Sequence, residues 1–204
     1  MKKSEVTKQR ILDAAARMFR LKGYAGTSLN DIAELAEVRA ASIYYHFESK
    51  DDLLGTVLDI GIDRISEAVR SAVDGLPDSA THRQKVCMAI ETHLATLLQH
   101  GDYTAANIIN FGLAPEAIRA RHHDRREVYG DYWRMLLAAA READELRASA
   151  DLSLVRLYII GALNWAEEWY REEGKTIAEM ASECCTIFFD GIAPSAGQKA
   201  TGAA

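Results

Sequence analysis

Apolar residues recur at helical spacing along almost the whole chain, and this periodicity limits the fold more than any other feature of the sequence. Side chains three and four positions apart share one face of a helix, whereas a strand switches face at every residue. Ile11, Ala15, Met18 and Phe19 form one stripe, and Leu29, Ile32, Ala33 and Ala36 a second. Leu54, Val57, Leu58, Gly61, Ile65, Ala68, Val69 and Ala72 form a long third. No run of alternating apolar and polar residues with turn pairs such as Asn-Gly accompanies them, so the sequence argues against a sheet and predicts an all-α fold.

Helix ends follow from short-range chemistry. Lys22 and Gly23 close the first helix, with a basic residue in the last turn and a glycine stop. Thr27 and Ser28 can each accept a backbone N–H at the start of the second, and Ser49 before Lys50, Asp51 and Asp52 opens a helix over 50–72. Three prolines punctuate the rest: Pro77 after the long helix, Pro115 at the first turn of another, and Pro194 after the last. Between them the pattern predicts five helices, over 82–100, 103–112, 115–143, 152–172 and 176–190. The small polar segment 195–204 reads as a flexible tail.

Composition narrows the class of molecule. With 49% apolar and 26% charged residues in 204, the chain has the balance of a soluble globular protein. Leu157 to Ala166 is ten residues without a charge, half the roughly 20 that cross a bilayer, and reads as buried helix. Lys8, Arg10 and Asp13 interrupt what a signal peptide would keep apolar, so a cytoplasmic protein with no membrane partner is expected. Cys87, Cys184 and Cys185 are odd in number and form no C-x-x-C, which argues for reduced, semi-buried thiols and against a metal site. The net charge of −6 hides a split: residues 1–50 carry nine Lys and Arg against six Asp and Glu, and the remainder nets −9. A small basic module on an acidic body suits a chain whose first part approaches a polyanion.

That module has the parts of a helix-turn-helix. Two short helices flank a tight turn, and the second offers Arg39, Ser42, Tyr45 and His46 outward while Val38, Ile43 and Phe47 face in. Hydroxyls and guanidinium groups hold phosphates, and the small Ala40, Ala41 and Ser42 let the helix backbone approach base edges. Periodicity alone equally allows Tyr44, Tyr45 and His46 to be half-buried aromatics of an amphipathic helix.

A longer pattern is more specific. Ile11 to Ala15, Phe19, Lys22 to Tyr24, Thr27-Ser28, Asp31 to Ala33, Ile43 to Phe47 and Ser49 to Leu53 together resemble the DNA-binding domain of the tetracycline-repressor (TetR) family over about residues 7 to 58. The resemblance implies an N-terminal three-helix DNA-binding domain over 1–50 and a larger helical ligand-binding and dimerisation domain over 51–194, joined by the helix 50–72. It implies a dimeric repressor of a pseudo-palindromic double-stranded operator, released by a small molecule. Thr27, Tyr44 and Lys50 are then expected on phosphates, with Tyr45 and His46 near the groove or backbone. Two positions depart from the family pattern: Glu37 stands where the turn commonly has Gly, and Arg39 where Ser or Thr commonly caps the recognition helix. Arg39 can reach a phosphate or the O6/N7 edge of guanine.

The body carries a second resemblance. Gly161 to Trp165, Trp169 to Arg171, Gly174 and Thr176 to Ala181 are similar to the C-terminal end of regulators of fatty-acid and ring degradation, which often sense acyl-coenzyme A thioesters; that implies such an inducer here. Met88, Phe111, Tyr129, Trp133, Leu137 and Trp165 are the candidate pocket walls, long apolar side chains that serve equally as core. Arg119, Arg121, His122, His123, Arg125 and Arg126 form a basic cluster that reads as a solvated face or as a seat for coenzyme phosphates. The resemblance pairs the last two long helices with those of a second chain, and Tyr158, Ala162, Trp165 and Trp169 form a stripe suited to that.

No phosphate-binding loop, dinucleotide fingerprint, H-E-x-x-H or nucleophile elbow occurs, so neither a catalytic residue nor a cofactor is expected. The competing reading is a helical dimeric enzyme or binding module that contains a helix-turn-helix.

Overall fold

The computed structural model describes residues 3–99, 101–171 and 173–191; the expected tail 195–204 and the stop at Pro194 lie outside them. The described residues form α1 (Lys3–Lys22), α2 (Leu29–Leu35), α3 (Ala40–His46), α4 (Lys50–Asp74), α5 (His82–Gln99), α6 (Asp102–Phe111), α7 (Glu116–Glu142), α8 (Leu152–Trp169) and α9 (Ile177–Asp190), with no strand among them.

The caps explain the boundaries. Gly23 adopts φ +68°, the left-handed conformation that stops α1. Of the two hydroxyls before α2 it is Ser28 that caps: its side chain accepts from the Asp31 N–H while Asp31 accepts from the Ser28 N–H. Ser49 accepts from the Asp52 N–H at the head of α4, and Thr176 makes the equivalent reciprocal pair with Glu179 at α9. Tyr170 leaves the helical conformation, so α8 stops at Trp169, three residues short of the sequence expectation.

Two apolar cores share α4. Ile11, Phe19, Ile32, Ile43 and Phe47 of the first three helices pack with Leu53, Leu54, Val57 and Leu58. One turn further on, Ile62, Ile65, Val69 and Val73 belong to a second core with Ile90, Trp133, Leu137, Ile159 and Leu163. α6 approaches α4 closely at Gly61, where a methyl group would collide with the Tyr103 carbonyl. The first core also reaches α6: buried Asn110 donates to the Phe19 carbonyl (2.9 Å) and accepts from the Tyr24 N–H (2.6 Å), tying the end of α1 to the body.

Two expectations change here. Cys87 of α5 and Cys185 of α9 are joined as a disulfide, with Cα atoms 5.7 Å apart, while Cys184 is free. Their separation of 98 positions gives no local spacing by which a reading of reduced thiols would have been avoided. The segment Leu157 to Ala166 is helical but only partly buried: Ile159 and Leu163 enter the core, while Leu157, Tyr158 and Trp165 are exposed.

Candidate DNA interface and ligand cavities

α3 presents its outer face where the first core ends. Ile43 and Phe47 are buried and anchor it, leaving Ala41, Tyr44 and Tyr45 exposed on the opposite side, at the i, i+3 and i+4 positions that share a helix face. Tyr44 is 62% and Tyr45 79% exposed, which for aromatic rings calls for a partner. Arg39 occupies the N-cap with extended backbone and no side-chain capping bond, so its guanidinium is exposed and uncommitted at the end of the helix. Ala40, Ser42 and His46 are half-buried, and the His46 ring packs edge-on against Tyr45.

Two residues expected on phosphate have other work. Thr27 is 2% exposed and its hydroxyl donates to the Gly23 carbonyl at 2.7 Å, with the Met18 carbonyl at 3.2 Å. The Lys50 ammonium donates to the carbonyls of Tyr24 and Thr27, both at 2.7 Å, and lies 4.1 Å over the Tyr24 ring. Both side chains therefore fix the loop between α1 and α2. Motif spacing does not distinguish that role from a DNA contact.

Glu37 takes the left-handed conformation with φ 51°, the geometry for which glycine is suited. Its carboxylate, largely exposed, pairs with Arg10 at 2.9 Å, which occupies a basic side chain beside α3. Glu37→Gly relieves a backbone penalty of about 1 kcal/mol and loses an exposed pair worth about 0–1 kcal/mol. Stability is expected to stay within about 1 kcal/mol, while DNA affinity rises several-fold as Arg10 is freed. A gel-shift titration in which the variant binds no more tightly than the wild type would refute this.

Most of the basic cluster of α7 is committed to carboxylates of the chain itself. Arg121 and Arg125 pair with Asp59, Arg125 also with Asp63, and Arg119 with Glu116. His122 is buried; its Nδ1–H donates to Asp59 at 2.7 Å, and Nε2 accepts from Asn107 at 2.8 Å. Asn107 in turn donates to the Leu58 carbonyl of α4 at 2.7 Å and accepts from Arg126 at 2.9 Å. Burial raises the Asp59 pKa, but the hydrogen bond from His122 and the nearby Arg125 and Arg121 outweigh it and hold the carboxylate below its ordinary value. α4 and α7 are thus clasped by charge.

The six expected pocket residues do not surround one cavity. Trp133 and Leu137 are fully buried in the second core, Met88 packs against it, Phe111 lies beneath the Arg126 guanidinium, and Trp165 is 64% exposed. Tyr129 alone of the six lines the cavities between α4, α7 and α8. Large aromatic side chains fill space, and the openings lie where smaller or polar groups leave it. The outer cavity, about 340 Å³, is lined by Arg126, Gly130, Arg156, Ile160 and Asn164. A smaller chamber of about 30 Å³ adjoins it at His93, Thr104 and Asn107. There the Tyr129 hydroxyl donates to His93 Nδ1 at 2.8 Å, and His93 Nε2–H donates to Asn164 Oδ1 at 3.1 Å. A separate apolar groove of about 520 Å³ runs along α8 and α9, past Trp169, Met180, Cys184 and Ile187.

Known proteins match both parts of the chain. A family model for bacterial regulatory proteins of the tetR family covers residues 11–57, and one for the tetracyclin repressor-like C-terminal domain covers residues 79–192. The HTH-type transcriptional repressor KstR2 of Rhodococcus jostii (strain RHA1) is 26% identical over 189 residues, spanning 90% of this chain and 89% of the relative. The fatty acid metabolism regulator protein of Bacillus subtilis (strain 168) is 23% identical over 167 residues, spanning 80% and 83%. In fold, the crystal structure of AibR in complex with isovaleryl coenzyme A and operator DNA matches with a TM-score of 0.80 at 22% identity, over 90% of this chain and 98% of that one.

Proposed function

The chain belongs to the tetracycline-repressor (TetR) family, and from that premise we propose that this ligand-responsive DNA-binding regulator is a homodimeric repressor, released from a pseudo-palindromic operator by an acyl-coenzyme A thioester. The observation that carries the reading is the outer face of α3, where Tyr44 and Tyr45 are exposed on a helix anchored by Ile43 and Phe47, with Arg39 exposed at its N-cap. Residues 1–50 read DNA, and residues 51–194 hold the ligand and the second copy. The protein works in the cytoplasm, by binding rather than catalysis. Relatives support the inducer class: AibR was crystallised with isovaleryl coenzyme A and operator DNA.

The second copy docks on α8 and α9. Leu154, Leu157, Tyr158, Trp165, Trp169 and Ile187 are all exposed there, an apolar surface that a lone soluble chain rarely keeps. Two-fold symmetry then sets two α3 helices in successive major grooves. The inducer acts through α4, whose start lies under the reading head and whose second half lines the outer cavity at Ile62. It shifts the equilibrium only as far as it binds the released conformation more tightly.

Mobility-shift titration on the DNA flanking its own gene tests both halves. A retarded band is expected that weakens steeply with salt and is lost on adding isovaleryl coenzyme A. No band at low ionic strength removes the DNA half, and a band unmoved by any acyl-coenzyme A removes the ligand half.

A further inference from the structure

We propose that the outer cavity between α4, α7 and α8 seats an oxyanion of the inducer, a carboxylate or a phosphate, on the guanidinium groups of Arg126 and Arg156. The inference deepens the regulator reading and rests on it for its biological consequence.

The argument begins with charge pairing. Arg119, Arg121, Arg125 and Arg134 of α7 each meet a carboxylate. Arg126 meets none among the described residues; its partners are the Asn107 amide and the face of Phe111, 4.1 Å away. Burial pulls its pKa down from the ordinary guanidinium value. Arg156 of α8 is more exceptional: its Nε is buried without a hydrogen-bond partner, and no acceptor or carboxylate engages it among the described residues. Glu127 also lines the cavity, but Arg134 holds its carboxylate at 3.0 Å. Removing charge from water without a partner is costly. Two half-buried guanidinium groups that meet no carboxylate among the described residues, around one opening, are matched by an anion from outside the chain, since a guanidinium fork holds an oxyanion in bidentate fashion.

The backbone makes room for this. Gly130 lies directly beneath Arg156, and a Cβ there would stand 2.8 Å from its Nη1. The cavity also limits the rest of the ligand. Its volume of about 340 Å³ is near the lower end of small-molecule sites, and the chamber behind it, about 30 Å³, admits little more than a water-sized polar group beside His93 and Thr104. A short body against Ile160 fits and a long acyl chain does not. Because Arg126 shares Asn107 with the Leu58 carbonyl of α4, an anion that draws Arg126 toward itself pulls directly on the helix that carries the reading head.

The test is calorimetric titration and thermal shift on the full chain, wild type against Arg156→Gln and Arg156→Lys. The probes are isovaleryl coenzyme A, free coenzyme A and isovalerate. At least one probe is expected to bind the wild type and to bind Arg156→Gln tenfold or more weakly, with Arg156→Lys between. Ligand-free Arg156→Gln is expected to melt no lower than the wild type, since it removes an unpartnered charge; a purely structural arginine would give a lower melting temperature. Binding of both coenzyme A species without isovalerate assigns the oxyanion to phosphate, and binding of isovalerate assigns it to carboxylate. If none of the probes binds the wild type, or all bind Arg156→Gln equally well, the proposal is overturned. Wild-type DNA binding, scored separately by mobility shift, decides the regulator reading: its absence with anion binding intact sinks that reading alone.

Discussion

Lowering the pH from 7 to 5 is expected to destabilise the fold by about 2 kcal/mol through one residue, His93. Burial holds its imidazole neutral, pushing the pKa down to about 4 from an ordinary 6.5 despite the opposing hydrogen bond to Asn164. The unfolded chain therefore takes up a proton in a range where the folded chain does not, so stability falls as pH drops from about 6.5 and levels off near 4. Both ring nitrogens are engaged, by Tyr129 and Asn164, and Trp133 closes the site edge-on, so a second proton displaces one of those bonds. The carboxylates with lowered pKa, Asp59, Asp31, Asp190 and Glu179, lose their contribution at lower pH and leave this window to His93. Urea denaturation at pH 7 and pH 5 measures it. His93→Gln removes the titrating group, and a pH dependence as steep as the wild type's in that variant would refute the assignment.

Replacing Arg39 and Tyr44 together by Ala is expected to cost about a hundredfold in operator affinity, near 3 kcal/mol. Both are exposed and neither supports the core, so thermal stability is expected to move by less than about 0.5 kcal/mol. The salt dependence distinguishes the kinds of contact: each lost phosphate contact lowers the slope of log affinity against log salt by about 0.9. A base contact by Arg39 instead changes which sequences bind. Unaltered affinity in the double variant would remove α3 from the groove. Lys50→Met serves as contrast, because its two internal hydrogen bonds predict a lower melting temperature along with any loss of binding.

The helices were readable from residue type because each carries its own stripe and cap; Ser28, Ser49 and Thr176 act within four residues of the bonds they make. The outward side of α3 was readable for the same reason, since Ile43 and Phe47 fix which side is left exposed. For Thr27 and Lys50 the family pattern marks a position without saying whether it serves DNA or the loop behind it, and their side chains bond into that loop. The cavity was illegible from spacing. It is the space left where α4, α7 and α8 fail to fill one another, and Arg126 and Arg156, 30 positions apart, meet only once those helices are packed. The bond from Cys87 to Cys185 has the same long-range origin.

Asn110, fully buried, bridges the last turn of α1 to α6, so the head is bolted to the body instead of hanging from a hinge. In the proposed dimer, a joint without slack would fix the stride between the two heads. Operators altered by a single inserted base pair at their centre are therefore expected to bind poorly, however well each half matches.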